Sequence, residues 1–236
     1  MAILTDLHHE YESQHIKSSE AMKDFVIGLA DGLTVPFALV SGLSGVVDIS
    51  NVILLAGMAE IAAGTIAMGL GGYLAAKTAR EHYEAEFLRE TREIVELPEI
   101  EAKEVADIFK EFGVLNEHMP AIIQAFKSNP DKWRDFMMKF ELGLDKPNKN
   151  REIQSPLIIG AAYAIGGLVP LSPYFFISDI STALLYSIVI TITSLLGFGA
   201  FKGAFTGVSK TKSALHTCFV GSIAALAAYS IASLFA

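Results

Sequence analysis

The sequence predicts an all-α membrane protein: five transmembrane helices, with a cytosolic three-helix insert between the second and third. Three observations carry this prediction. The chain has 236 residues, is 52% hydrophobic and only 19% charged, against about 25% charged in an ordinary soluble domain. Its mean hydropathy is +0.43. Its apolar residues fall in five blocks, and its basic residues are confined to three places.

Composition also excludes several classes. So much apolar surface rules out disorder. The chain carries 18 Lys and Arg against 26 Asp and Glu, a net charge of −8, and offers no basic face for nucleic acid. A single cysteine, Cys218, excludes an intrachain disulfide framework and a Cys-based zinc site.

Residues 1–24 form a polar, acidic tail. They contain no cleavable signal, so the first span acts as an uncleaved anchor. The apolar blocks are 25–47, 52–76, 156–178, 180–201 and 213–236. Each matches or exceeds the roughly 20 residues that a helix needs to cross a bilayer. None shows the polar stripe of a water-soluble core helix. Lys17 and Lys23 lie in the tail, 13 Lys and Arg lie between Lys77 and Arg151, and Lys202, Lys210 and Lys212 flank the fourth connection. With five spans, all three places fall on one side. The positive-inside rule makes that side cytosolic, so the N-terminus and residues 77–155 are in and the C-terminus is extracytosolic or lumenal.

Residues 77–155 hold 13 Lys and Arg against 17 Asp and Glu and are too long for a structureless loop. The pattern predicts a helix over 78–95 and a break at Leu97-Pro98. A second helix follows to about Phe112, stopped by Gly113. A third helical region covers 120–142, interrupted near Ser128-Asn129-Pro130. Glu86, Glu90 and Glu93 share a helix face, as do Glu101 with Glu104, and Met137 and Met138 with Glu141. A solvated acidic face explains any one of these glutamates. A cation explains the cluster better, because like charges at this spacing destabilise a helix, and a thioether beside carboxylates favours transition metals over Mg or Ca.

Two acidic residues lie inside the spans, Asp31 and Glu60. Burying such a charge costs roughly 2.5–3.5 kcal/mol on insertion scales and marks ion or proton pathways. Pro36 withdraws a hydrogen bond from the Gly32 carbonyl beside Asp31 and predicts a kink there. Met68 follows Glu60 by two turns, about 12 Å along the helix, as a second station rather than a ligand of the same ion. Glycines surround these groups, and Gly199, Gly203 and Gly207 make a second small-residue stripe.

Two segments are distinctive: Asp31-Gly32-Leu33-Thr34-Val35-Pro36-Phe37-Ala38, and Ala59-Glu60 through Met68-Gly69-Leu70-Gly71-Gly72-Tyr73-Leu74-Ala75-Ala76-Lys77. They resemble the vacuolar iron transporter family (the VIT/CCC1 family), and the likeness extends over nearly the whole chain. The resemblance implies proton-coupled export of Fe(II), and often Mn(II), from the cytosol, by a homodimer with the ion path at the subunit interface. It implies no prosthetic group. It places Asp31, Glu60 and Met68 on the family's transmembrane pathway. It places Glu90, Glu93, Glu101, Glu104, Met137, Met138 and Glu141 on its cytosolic metal-binding set, leaving Glu86 and Glu96 as surface residues. Carboxylate and thioether ligands accept Fe(II), Mn(II), Co(II) and Zn(II) all to some degree. A vacuolar or a plasma membrane fits equally, since the tail shows no acidic dileucine-type sorting signal.

Two rival readings compete. Gly42-Leu43-Ser44-Gly45 with His216 resembles the GxSG pattern of rhomboid intramembrane proteases, but those have at least six spans. A membrane-anchored iron-storage or ferroxidase protein would use Glu-x-x-His pairs, of which only Glu12 with His15 fits, beside the His8-His9 pair in the tail.

Overall fold

The computed structural model describes residues 2–234, with side chains described for 20–231 and 234. Among the described residues it is all-helical, with eight α-helices: α1 (Ala2–Ser44), α2 (Ser50–Glu96), α3 (Pro98–Glu111), α4 (Met119–Lys127), α5 (Pro130–Phe140), α6 (Arg151–Leu171), α7 (Ile180–Thr206) and α8 (Lys210–Leu234). Short 3-10 turns at Asn116–His118 and Ser172–Phe175 precede α4 and follow α6. Five segments are long and apolar enough to cross a membrane: Glu20–Ser44, Ser50–Glu96, Arg151–Phe175, Ile180–Thr206 and Lys210–Ile231. The side chains of His8, His9, Glu12 and His15 lie outside the described residues.

One expectation is corrected. The second span and the first helix of the insert are one helix, because nothing between Tyr73 and Leu97 breaks it. Neither Gly nor Pro occurs there, and Lys77–Glu81 (3.8 Å) and Arg80–Glu84 (2.9 Å) support the polar half with i, i+4 pairs. It ends where Pro98 forces Leu97 out of helical geometry, at φ −128° and ψ 42°. The expected three-helix insert is therefore the continuation of α2 together with α3, α4 and α5. Pro36 lies inside α1, which runs on through it.

The remaining helix ends follow local chemistry. Gly113, at φ +82°, turns the chain away from α3. Asn129 caps α5, accepting from Lys132 N at 3.4 Å, with Pro130 at the first helical position. Asp179 caps α7, accepting from Thr182 N at 2.8 Å. The last glycine of the Gly199 stripe, Gly207, is not a packing residue but the left-handed C-cap of α7, at φ +71°.

The chain divides into two compact units, Met1–Tyr73 with Glu152–Ala236, and Leu74–Arg151. The second unit has its own core of Ile94, Ala102, Val105, Trp133 and Met137. Phe109 stacks on Phe136 there, with ring centroids 5.3 Å apart. Arg134 lays its guanidinium 4.0 Å over the Phe87 ring, tying α5 to α2.

The first unit is organised by close helix approach. A Cβ on Gly28 would strike the Ile159 carbonyl, and one on Gly32 the Tyr163 carbonyl, so α6 lies directly against α1. On its other side α6 meets α2, where a Cβ on Gly64 would enter the Tyr163 ring and one on Gly167 would stand 2.7 Å from Ile61. Gly199 plays the same part between α7 and α8, against Ala214 and Thr217. Small residues permit such approach in a membrane, where packing rather than water drives association.

Gly32→Ala should therefore destabilise the protein by about 1–3 kcal/mol, the usual cost of overpacking. Gly197→Ala, which meets nothing within 4 Å, should leave stability unchanged or slightly raised. Thermal unfolding in detergent micelles distinguishes the two.

Candidate metal and transport sites

The insert brings Glu90 from α2, Glu101 from α3 and Glu141 from the end of α5 into one group. One carboxylate oxygen of each lies within 4.8 Å of the others. An octahedral ion with bonds of about 2.1 Å holds neighbouring oxygens about 3 Å apart, so an ion would draw these groups slightly inward. Glu90 and Glu101 are 1% and 3% exposed. Each leaves its Oε2 buried with no hydrogen-bond donor. Buried polar atoms almost always find a partner, so two such oxygens facing a third carboxylate suit a cation.

The electrostatics agree with this geometry. Burial, followed by the neighbouring Glu141 and Glu93, pushes the Glu90 carboxyl up to about 7. Burial, then Glu90 and Glu104, pushes Glu101 up to about 8. Glu141 is also raised, by burial and then Glu104. Glu93 and Glu104 are half-buried and act on the trio by charge. Met138 is buried, and Met137 packs in the apolar core with Trp133 and Val105.

The spacing argument undervalued two residues. Glu86, expected at the surface, is half-buried and contributes to the field at Glu141. Arg89 pairs with Glu86 at 2.7 Å and with Glu90 and Glu93 at 3.8 Å each. Those three glutamates stand three before, one after and four after Arg89, spacings readable in the sequence.

In the first unit, Glu60 on α2 accepts a hydrogen bond from the Tyr163 hydroxyl of α6, and its Oε2 is buried without a partner. Tyr163 is 2% exposed. Sequence reasoning missed it; the available signal was a tyrosine within a glycine-rich apolar span. Asp31 is half-buried and lines a cavity of about 180 Å³ between α1, α7 and α8, shared with Thr34, Lys202, His216 and Thr217. Thr34 donates to the Ala30 carbonyl at 2.5 Å, one turn back along α1. Met68 is half-buried on α2.

The protease arrangement does not form. Ser44 donates to the Val40 carbonyl and shares a hydrogen bond with the Tyr174 hydroxyl, both at 2.7 Å. His216 instead lines the Asp31 cavity.

A profile of the VIT family matches residues 22–233. The chain belongs to the VIT family. It is 48% identical over 225 residues to vacuolar iron transporter 1 of Oryza sativa subsp. japonica, covering 95% of this chain and 89% of that one. It is 48% identical over 228 residues to vacuolar iron transporter 1 of Arabidopsis thaliana, covering 97% and 91%. Protein CCC1 of Saccharomyces cerevisiae is 40% identical over 216 residues, covering 88% of this chain and 67% of that protein. The VIT family is one of multi-pass membrane transporters and not of enzymes, which removes the protease and ferroxidase readings.

The raised carboxyls set a pH dependence. Glu90 and Glu101 hold protons in the folded protein that the unfolded chain, titrating near 4.5, releases. Stability of the insert therefore falls as pH rises from about 4.5 through 7 and 8. Urea unfolding followed by Trp133, the single tryptophan, should show a lower midpoint at pH 8.5 than at pH 5.5. The Glu101→Gln variant should flatten that slope.

Proposed function

We propose that this protein exports Fe(II), and also Mn(II), from the cytosol in exchange for protons, across a vacuolar or plasma membrane. It works as a homodimer with its ion path at the subunit interface. Residues 1–24 form a cytosolic tail and residues 77–155 a cytosolic metal-binding domain. Residues 25–76 and 156–236 supply the five spans, and the C-terminus lies outside the cytosol. Membership of the VIT family, and the iron transport named in its relatives, support iron as the cargo.

The observation that carries the mechanism is Glu60. It is a carboxylate in an apolar helix, oriented through one oxygen by Tyr163 and offering the other to whatever enters. A proton and a divalent cation compete for that oxygen, since each neutralises the charge that the low dielectric penalises. A site that takes metal from one side and a proton from the other is the chemical core of an antiporter. Met68 acts as a softer station on the same helix. Asp31 acts as a second carboxylate, in a cavity it shares with Lys202 and His216. The Glu90, Glu101 and Glu141 group, with Glu93, Glu104, Met137 and Met138 around it, captures metal before transport.

Proteoliposomes carrying a metal-sensitive dye and a pH dye test this. Glu60→Ala and Asp31→Ala should abolish both metal and proton flux. Tyr163→Phe removes the orienting hydroxyl and should slow flux about ten-fold, the worth of one hydrogen bond to a charged group. Glu90→Gln with Glu101→Gln should raise the half-saturating metal concentration more than it lowers the maximal rate. Undiminished flux in Glu60→Ala would overturn the pathway.

A further inference from the structure

We infer that Arg89 is a built-in counter-ion of the insert's carboxylate group, a competitor that an arriving divalent cation must displace. This rests on the reading that the Glu90, Glu101 and Glu141 group binds metal.

Arg89 is positioned for the part. Its Nη2 lies 2.7 Å from Glu86 Oε2 and 3.8 Å from Glu90 Oε1, and its Nε lies 3.8 Å from Glu93 Oε2. One guanidinium thus bridges three carboxylates on the same helix face. Its side chain is 44% exposed while that of Glu90 is 1% exposed. The cation therefore reaches in from the rim and can swing back into water without repacking the core. It is also the cation that opposes the acidic field felt by both Glu90 and Glu141.

The compensation is incomplete in a telling way. Arg89 reaches Glu90 through Oε1, and Glu90 Oε2 stays buried without a donor, as does Glu101 Oε2 across the group. Arg89 holds the α2 side and leaves the α3 and α5 side open. A divalent cation placed between the three glutamates would face the guanidinium's positive charge at close range. The two cations therefore oppose each other's occupancy.

The functional consequence concerns release. A bare cluster of this many carboxylates binds a divalent ion tightly and surrenders it slowly. A resident guanidinium lowers the affinity and takes over the carboxylates as the ion departs. Arg89 is a positioning and affinity-setting residue in this scheme and does not ligate the metal.

The test is Mn(II) titration of the full-length protein in detergent at pH 8.5 and low salt, with free Mn(II) read by electron paramagnetic resonance. Arg89→Gln should bind on the order of five-fold more tightly, because a unit charge near a divalent ion is removed. Its affinity should also fall more steeply with added NaCl, the cluster being one charge more negative. Arg89→Lys, which keeps the charge, should stay within about two-fold of the wild type. Trp133 fluorescence confirms that each variant is folded.

A second measurement needs no variant. Phenylglyoxal modification of Arg89 in the wild type, followed by peptide mass spectrometry, should increase when Mn(II) saturates the protein. Equal or weaker binding by Arg89→Gln, or unchanged Arg89 reactivity on Mn(II) binding, would overturn the inference and leave the metal site standing. Absence of Mn(II) binding to the wild type, or binding indifferent to Glu101→Gln, would remove the site itself and the inference with it.

Discussion

A carboxylate kept from water must be given a proton, a cation or a hydrogen-bond donor. This protein places carboxylates in that position twice, by different means. In the insert, three helices bring Glu90, Glu101 and Glu141 together, and the two most buried each retain an oxygen with no donor. In the apolar helices, Glu60 receives one hydroxyl, from Tyr163, and its other oxygen goes without. Neither arrangement favours folding. Both are readily explained by a cation that comes and goes.

What makes the Glu60 site possible is the absence of side chains around it. Tyr163 reaches Glu60 because Gly64, one turn beyond Glu60 on α2, leaves room for its ring, and Gly32 on α1 leaves room for its backbone. Gly28 and Gly32 in the first span and Gly57, Gly64, Gly69 and Gly72 in the second therefore share one effect: they let α6 lie against both helices at once. A chain with alanine at those places would keep its hydropathy and its five spans and would lose the contact that orients the carboxylate.

Much of this was legible in the one-dimensional pattern. The five apolar spans, the break at Pro98, the stop at Gly113 and the interruption at Pro130 each follow from a local rule of chain length, missing N–H or positive φ. The group of Glu90, Glu101 and Glu141 was foreshadowed by helical spacing, which puts Glu90 on one face of α2 and Glu101 on one face of α3. Spacing could not say that the two faces meet, nor that Glu86 turns inward with them. It also could not separate Met137, committed to the Trp133 core, from the carboxylates beside it in the same pattern. α2 runs on through residue 77, because a helix ends at a breaker and not at a shift from apolar to polar composition.

The sequence by itself determined the class of molecule, the number of apolar spans, the family, and the two carboxylates that stand out against a hydrocarbon background. These follow from composition and short-range spacing, which are properties of a few consecutive residues. Only the tertiary structure decided which groups stand next to which. It paired Tyr163 with Glu60 across 103 positions of chain, set Asp31 in a cavity with Lys202 and His216, and closed three glutamates from three helices into one group. Such meetings depend on how helices cross. Crossing is governed by the small residues at each contact, whose partners no local pattern names.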